Sequence, residues 1–351
     1  MKTLTKLTIC IITYNRGTCA LRQVNSIKNS LSSDISILVL DNASTIDTEG
    51  YKVIEELSKI NPSIEYIRHD HNRLTHGNFL ACFDLAKAPF IQIMSDEDFP
   101  NIAVIKESIL VLEEFKNVAV LRGSIGPEEG QPGRNSMQYE EAFLRGGQEA
   151  LSYFALRTNY LSGIIYNRKL ICEGGLVNRL RDKLYLHRQY PHVYLDCLCA
   201  SMYDVILTSS KICHEGPEDP SSLNIQNFDG HTTSFSGRLE QILALRDMIT
   251  ELYDTLDPSC RLETCLLIYE LLSAKYFLLI KIDAFIYKKL RIDPEKIMEA
   301  LLQFLIAASH IEIFAGHEKD VAHRIHRRYS LITIEEDLRY GRIFNQVKAS
   351  S

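Results

Sequence analysis

The segment FIQIMSDEDFP, Phe90 to Pro100, joins a run of apolar residues directly to three acidic side chains. The apolar run is typical of a buried β-strand, and Asp96, Glu97 and Asp98 stand where that strand ends. Carboxylates this close repel one another, so they stay solvated, raise one another's pKa values or bind a cation. The rest of the sequence has to decide among these three alternatives.

Short apolar runs alternate with helical patterns on both sides of this segment. The runs LTICIIT, SILVLD and IEYIRH come before it, and the helical pattern IAVIKESILVLEEF and the run VAVLRG come after it. Nearly continuous apolar strands joined by helices predict an α/β fold, with a mostly parallel sheet that carries helices on both faces. Ligands of such sheets bind beyond the carboxyl ends of the strands.

Composition and charge argue against several functional classes. The chain has 351 residues, of which 46% are hydrophobic and 24% charged, and its formal net charge is -6. Since nucleic-acid-binding domains are usually basic, we expect no nucleic-acid partner. The nine cysteines lack the spacing of a zinc or redox motif. No stretch reaches the roughly 18 apolar residues of a membrane span, so we expect a soluble protein of the reducing cytoplasm.

Two segments rich in glycine, proline and polar residues interrupt the alternation, at residues 123–136 and 215–235. The first predicts a surface loop or a hinge. From residue 236 onward the periodicity is only helical. We therefore expect an α/β domain over residues 1–235 and a helical C-terminal region over residues 236–351.

Residues 275–292, KYFLLIKIDAFIYKKLRI, combine a strongly apolar pattern with interleaved lysines and an arginine. A helix of this kind can lie on an anionic membrane surface, here the inner face of the membrane. It can also be buried in a bundle or in a homo-oligomer contact, with its lysines extending to water. We favour the buried arrangement.

Polar turns follow the predicted strands, and four of them form a recognisable series: TYNR from Thr13, DNAST from Asp41, NRLTHGN from Asn72 and SDEDFP from Ser95. In this order and spacing they resemble glycosyltransferase family 2, whose members have the GT-A fold. The resemblance covers roughly the first hundred residues. It implies a nucleotide-sugar donor site at these turns.

The resemblance assigns eight residues to this donor site: Thr13, Tyr14, Arg16, Asp41, Asn72, His76, Asn78 and Asp96. Thr13, Tyr14 and Arg16 would line the nucleotide pocket. Asp41 would accept a hydrogen bond from the base, and Asp96 would approach the ribose. The alternatives are that Asp41 caps a helix and that the segment around Asn72 is only a polar surface loop.

A divalent cation, Mn²⁺ or Mg²⁺, is the cofactor that the resemblance implies, with Asp98 and His214 as its ligands. Acidic side chains separated by one residue can hold such an ion and leave positions for phosphate oxygens. The ion would neutralise charge on a departing diphosphate. Whether Glu97 contributes stays open. The alternative is a solvated turn in which Asp98 caps the next helix, with Pro100 near its start.

Inverting members of the family need a general base close to the acceptor hydroxyl. The resemblance places this base at the start of a helix that corresponds here to YPHVYLDCLCAS, which makes Asp196 the candidate. Asp182, Asp204 and Glu215 are its competitors.

The expected function is therefore an inverting glycosyltransferase of the bacterial surface-polysaccharide type. It would move a sugar from a nucleotide-sugar donor, most simply a UDP-sugar, to a hydroxyl of a glycan or lipid-linked glycan acceptor. One rival is a sugar-1-phosphate nucleotidyltransferase, which would release pyrophosphate. Another is a scaffold subunit that binds sugar nucleotides without catalysis.

Overall fold

The computed structural model describes residues 5–127, 137–153, 160–216, 235–273 and 311–327. The chain divides into two compact units, Met1–Ile225 and Gln226–Ser351. The predicted domain boundary at residue 235 stays a prediction. Residues 275–292, on which the membrane and oligomer expectations depend, lie outside the described residues.

The first unit is a sheet with helices packed against it. Its strands are β1 (Leu7–Thr13), β2 (Ile35–Asp41), β3 (Ile64–Arg68), β4 (Phe90–Ser95), β5 (Phe99–Pro100), β6 (Val118–Gly126), β7 (Ala142–Leu144), β8 (Ile164–Asn167) and β9 (Asp204–His214). Its helices are α1 (Gly17–Ile27), α2 (Glu49–Ile60), α3 (Leu74–Leu85), α4 (Ile102–Glu114), α5 (Gln148–Tyr153), α6 (Arg168–Glu173), α7 (Leu176–Asp182) and α8 (Pro191–Met202).

The strand order is β3-β2-β1-β4-β8-β6-β9-β5, and β7 pairs with β9. Strands β3, β2, β1 and β4 are parallel neighbours, and β6 is parallel to β9. Between these two groups, β8 runs antiparallel to both β4 and β6. The predicted α/β fold with a mostly parallel sheet is confirmed.

Both faces of the sheet are covered, which explains why its strands appear as continuous apolar runs. On one face, Val24 of α1, Ile54 of α2 and Ile105 of α4 share a core with Ile9 and Ile11 of β1.

The opposite face of the sheet packs against α3. Phe83 of α3 meets Tyr166 of β8 edge to face, with 5.6 Å between the ring centroids. Phe79, one turn earlier in α3, contacts the same tyrosine at 6.5 Å.

Strand β6 runs further than the sequence predicts. The expected loop begins at Gly123, yet β6 continues to Gly126 because β9 supplies a parallel partner, with Gly126 opposite His214. Pairing between distant segments overrides the local turn signal of glycine here. The short strands β5 and β7 are not predicted either, because two or three residues carry no measurable alternation.

The described part of the second unit is helical, as expected. It contains α9 (Phe235–Thr255), a helical segment at residues 261–273, a short 3₁₀ turn (Glu312–Phe314) and a helical segment at residues 318–327. Tyr269 packs edge to face on Phe314 with 5.7 Å between the ring centroids, and Arg324 donates two hydrogen bonds to Glu263. Among the described helices, none has the length and apolar character to cross a membrane.

The N-terminal ends of α1 and α2 touch through two glycines. A Cβ added to Gly50 would lie 2.1 Å from the carbonyl oxygen of Gly17, and one added to Gly17 would lie 2.1 Å from that of Asp47. Both obstacles are backbone atoms, so neither can rotate away. The contact holds the loops after β1 and β2 side by side.

We expect Gly50→Ala to lower the free energy of unfolding by about 1–3 kcal/mol, because the added methyl group forces two helix ends apart. Urea denaturation measures this change. Val53→Ala, an exposed position on the same helix, serves as the control and should change stability by less than about 0.5 kcal/mol. Equal midpoints for both variants would show that the close contact is not needed.

Candidate functional site

The carboxyl ends of four parallel strands form one edge of the sheet. The register places Thr13 of β1 beside Asp41 of β2, and Asp41 beside Arg68 of β3. On the other side of β1, Ile12 pairs with Ser95, the last residue of β4. The polar turns that the sequence pattern predicts after these strands therefore lie next to one another.

Asp96 is the centre of a hydrogen-bonded cluster at this edge. It is 3% exposed, and its Oδ2 accepts a hydrogen bond of 2.7 Å from the Thr13 hydroxyl. Its Oδ1 lies 3.1 Å from Nη1 of Arg16, whose Nη2 lies 3.0 Å from Oε2 of Glu97. One guanidinium thus bridges two consecutive carboxylates.

Tyr51 of α2 completes this hydrogen-bonded cluster. Its hydroxyl is hydrogen-bonded to Oγ1 of Thr13 at 2.8 Å and accepts the backbone N–H of Arg16 at 2.9 Å. Because the Thr13 proton goes to Asp96, the tyrosine donates to Thr13. A buried side chain from the second helix therefore fixes the turn after the first strand.

Burial raises the pKa of Asp96 from its ordinary value of 3.8 to about 6. The neighbouring Arg16 and the Thr13 hydroxyl favour the charged form, and the negative charges of Glu97 and Asp98 oppose it. Desolvation is the largest of these effects. The site therefore holds a carboxyl whose charge depends strongly on what binds next to it.

This shift makes stability depend on pH in a defined direction. Since the folded protein keeps the Asp96 proton to higher pH than the unfolded chain does, the group's stabilising contribution is complete below pH 3.8 and is lost as pH rises through about 6. We expect Asp96→Asn to gain melting temperature relative to wild type over this range. Thermal unfolding without divalent cations measures it, with the exposed Asp182→Asn as control. Parallel curves for wild type and Asp96→Asn would contradict the shift.

Asp98 accepts hydrogen bonds from two hydroxyl groups. Tyr160 donates to its Oδ1 at 2.7 Å, and Ser162, just before β8, donates to its Oδ2 at 2.5 Å. Burial raises the pKa of Asp98 as well. The cap of α4 is Asn101, whose side chain accepts from the backbone of Val104, so the interpretation of Asp98 as a helix cap is wrong.

His214 ends β9 beside the acidic turn. It pairs with Phe99 of β5, the residue after Asp98, and with Gly126 at the end of β6. Its Nδ1 is buried, and among the described residues it has no hydrogen-bond partner. A buried imidazole nitrogen without a hydrogen-bond partner is chemically suited to bind a metal ion.

The residues Asp98 and His214 stay a predicted pair of metal ligands. In the described ranges, no three His, Cys, Asp or Glu side chains form a group able to hold a metal ion. Carboxylate oxygens and an imidazole nitrogen do suit Mn²⁺ or Mg²⁺ when waters or phosphate oxygens complete the coordination.

Asp41 is held at the end of β2 rather than at a helix. It is 1% exposed, and its Oδ1 accepts the backbone N–H of Ser44 at 2.8 Å. Its Oδ2 accepts from the Tyr66 hydroxyl at 2.8 Å and lies 3.4 Å from Nε of Arg68. Helix α2 begins only at Glu49, so a helix-cap role for Asp41 is wrong.

Both predicted asparagines after β3 make hydrogen bonds within the chain, although Asn72 itself is exposed on the surface loop. Asn78 is buried, donates to the carbonyl of Leu40 and is hydrogen-bonded to His69. Asn72 accepts from the side chain of Asn42, which also accepts the backbone N–H of Arg73.

Two further predicted donor-site residues lie at the same edge. His76 is half-buried in the first turn of α3. Burial and the nearby Arg188 lower its pKa. Tyr14 is 43% exposed in the turn after β1.

The loops at this edge carry unusual backbone. In the described ranges, the non-glycine residues with positive φ are Asn15, Ala43, Asp47 and Leu74. All four follow strands β1, β2 and β3. Left-handed conformations are costly for residues such as alanine and leucine, and they concentrate where the backbone has to meet a ligand.

Asp196 lies in a different environment from the acidic turn. It belongs to α8, in which every residue from Pro191 to Ser201 is buried. Its Oδ2 accepts from Arg122 of β6 at 3.1 Å, and its Oδ1 accepts from the hydroxyl of Tyr166 at 2.7 Å. Its role as a general base stays a prediction, and the ion pair gives it a structural role as well.

We expect Asp196→Asn to lower the free energy of unfolding by about 3 kcal/mol, because the buried Arg122 loses its counter-charge. Chemical denaturation measures the change. Tyr166→Phe, which removes only one hydrogen bond, should cost about 1 kcal/mol. A folded Asp196→Asn of wild-type stability that binds donor yet fails to turn over would support the base role instead.

The residues that sequence reasoning missed are mainly tyrosines: Tyr51, Tyr66 and Tyr160. Tyr51 lies on the apolar face of α2, and its pattern is that of a core residue. Only the tertiary structure brings the three hydroxyl groups onto Thr13, Asp41 and Asp98.

Comparison with known proteins agrees with this geometry. Residues 8–174 match the model of the family described as "Glycosyl transferase family 2". These residues are a family 2 glycosyltransferase domain. The family 2 domain includes the edge formed by Thr13, Asp41, Asp96 and Asp98.

A curated relative of the family 2 domain is the GalNAc(5)-diNAcBac-PP-undecaprenol beta-1,3-glucosyltransferase of Campylobacter jejuni subsp. jejuni serotype O:2, 29% identical over 94 residues. The match covers 26% of this chain, and the chain spans 30% of the length of that relative.

Solved structures share the fold at lower identity. S. aureus TarS 1-349 in complex with UDP-GlcNAc is 14% identical with a TM-score of 0.63, covering 96% of this chain and 92% of TarS 1-349. The mannosyltransferase PcManGT from Pyrobaculum calidifontis, in complex with GDP-Man and Mn²⁺, is 12% identical with a TM-score of 0.52, covering 94% and 84%.

Proposed function

We propose that this protein is an inverting glycosyltransferase that uses a nucleotide-sugar donor, most simply a UDP-sugar. The observation that carries the proposal is the meeting of Thr13, Arg16, Asp96 and Asp98 at the carboxyl edge of the sheet, within the family 2 domain. The TarS complex with UDP-GlcNAc supports the choice of a uridine donor. We assign catalysis to residues 1–235.

The acceptor we propose is a hydroxyl group of a glycan or a lipid-linked glycan. The Campylobacter relative, whose name describes an undecaprenol-linked glycan, supports this choice. In the reaction, the acceptor oxygen forms a bond to the anomeric carbon while the bond from that carbon to the diphosphate breaks. The acceptor proton passes to a base, for which Asp196 is the predicted residue.

The chain's own residues would bind and orient the donor. Asp41 offers a buried carboxylate, held by Tyr66 and Ser44, to the N–H of a base. Asp96 would approach the ribose from the end of β4. The N-terminus of α1 follows Arg16, and its positive dipole end would favour a diphosphate there.

Asp98 and His214 would hold a divalent cation in this proposal. The buried Nδ1 of His214 and the carboxylate of Asp98 supply one nitrogen and one oxygen ligand from neighbouring strands. When bound, such an ion neutralises negative charge on the leaving diphosphate. Ser162 and Tyr160 keep the Asp98 carboxylate oriented for it.

A panel of nucleoside diphosphates and nucleotide-sugars tests the function, each with Mn²⁺, with Mg²⁺ and with chelator. We expect a uridine ligand with Mn²⁺ to raise the melting temperature, because it binds the folded state alone. Turnover should release UDP. Release of pyrophosphate would identify a nucleotidyltransferase, and the absence of any shift would reject the nucleotide site.

We expect Asp98→Asn to lower transfer by at least about 100-fold, because charge stabilisation by a metal ion contributes several kcal/mol. The part of the UDP-induced thermal shift that depends on Mn²⁺ should disappear. Asn keeps the volume of the side chain, so the fold is retained. Asp254→Asn, exposed on α9, is the control for unchanged turnover. Wild-type dependence on Mn²⁺ in Asp98→Asn would overturn the metal assignment.

A further inference from the structure

Arg16 pairs with the two carboxylates that directly precede the predicted metal ligand Asp98. Its guanidinium spans Oδ1 of Asp96 and Oε2 of Glu97 at 3.1 and 3.0 Å. Three acidic residues stand in succession here, and Arg16 places a full positive charge between two of them. A divalent cation that enters this turn alone has to compete with that charge.

The position of Arg16 also points to a second partner. It is the N-cap residue of α1, and the side chain is only 22% exposed. Helix N-termini attract anions, and a planar guanidinium binds phosphate oxygens in pairs. A diphosphate bound at the end of β1 would lie within reach of the same side chain.

The backbone of Arg16 is held in place, whereas its guanidinium can exchange hydrogen-bond partners. The hydroxyl of Tyr51 accepts the Arg16 backbone N–H, so the helix start cannot move away from the cluster. The bonds to Asp96 and Glu97 are made by the flexible end of the side chain. A change of partner therefore needs only a rotation of the side chain.

We propose that Arg16 couples donor binding to metal binding by exchanging the carboxylates of Asp96 and Glu97 for the donor's diphosphate. Without donor, the guanidinium keeps the acidic turn neutralised and weakens binding of a lone divalent cation. With donor, the guanidinium turns to the phosphates, and the released carboxylates favour the cation. This coupling rests on the proposed nucleotide site. By linkage, the cation strengthens donor binding by the same factor.

Electron paramagnetic resonance of Mn²⁺ tests the coupling without any turnover, because free and bound Mn²⁺ give distinct spectra. The probe is Mn²⁺ titrated into the full chain, first alone and then with saturating UDP. We expect Arg16→Gln to bind Mn²⁺ alone about fivefold or more tightly than wild type does. The ratio of Mn²⁺ dissociation constants without and with UDP should fall toward one.

The control is Arg22→Gln on the same helix. Arg22 lies 5.4 Å above the ring of Phe99, next to Asp98, so its loss removes the same charge near the same turn. We expect Arg22→Gln to retain the wild-type ratio. Glu97→Gln, which removes one arm of the bridge and leaves Asp96 paired, should give an intermediate ratio. Circular dichroism checks that each variant is folded.

The outcomes separate the two proposals. If wild type binds UDP with Mn²⁺ but Arg16→Gln keeps the wild-type affinity for Mn²⁺ alone, the coupling is wrong and the nucleotide site stands. Equal effects of Arg16→Gln and Arg22→Gln would reduce the result to general electrostatics and also overturn the coupling. If wild type binds no nucleoside diphosphate with Mn²⁺ or Mg²⁺, the proposed function itself fails.

Discussion

A buried carboxylate at the end of β4 is the constraint on which the site depends. Taking Asp96 out of water is costly, and the chain offsets that cost with Thr13 from β1 and Arg16 from the start of α1. Tyr51 of α2 then holds both of these residues. The end of β4 thus fixes the end of β1 and the start of α1, and the edge of the proposed donor site is organised before any ligand arrives.

The alternation of strands and helices is predictable from the sequence because parallel strands buried on both faces leave continuous apolar runs. Strands β1, β2 and β4 show this pattern directly. The extension of β6 through Gly123 and the pairing of β5 with β9 are not predictable locally, since both depend on β9, which lies far along the chain.

Some residues of the candidate site are likewise predictable from the sequence, and others are not. Turns that follow strands, such as those of Thr13, Asp41 and Asp96, are found from their position in the pattern alone. Partners that come from elsewhere in the chain, such as Tyr160 on Asp98, are not. The sequence of α8 did contain one signal: a helix that is apolar on every side must be buried, so an aspartate within it needs a counter-charge. Arg122 provides it.

The antiparallel strand β8 separates the sheet into two groups of strands. It meets β4 over Phe90 to Gln92 on one side and β6 over Val120 to Arg122 on the other. The four strands on one side carry the turns of the proposed nucleotide site, while β9 on the other side carries His214. Because only short pairings join β8 to its two neighbours, we expect insertions beyond β8 to leave the register of the first four strands unchanged. Under the proposed function, such an architecture would let the acceptor side diverge while the nucleotide turns keep their positions.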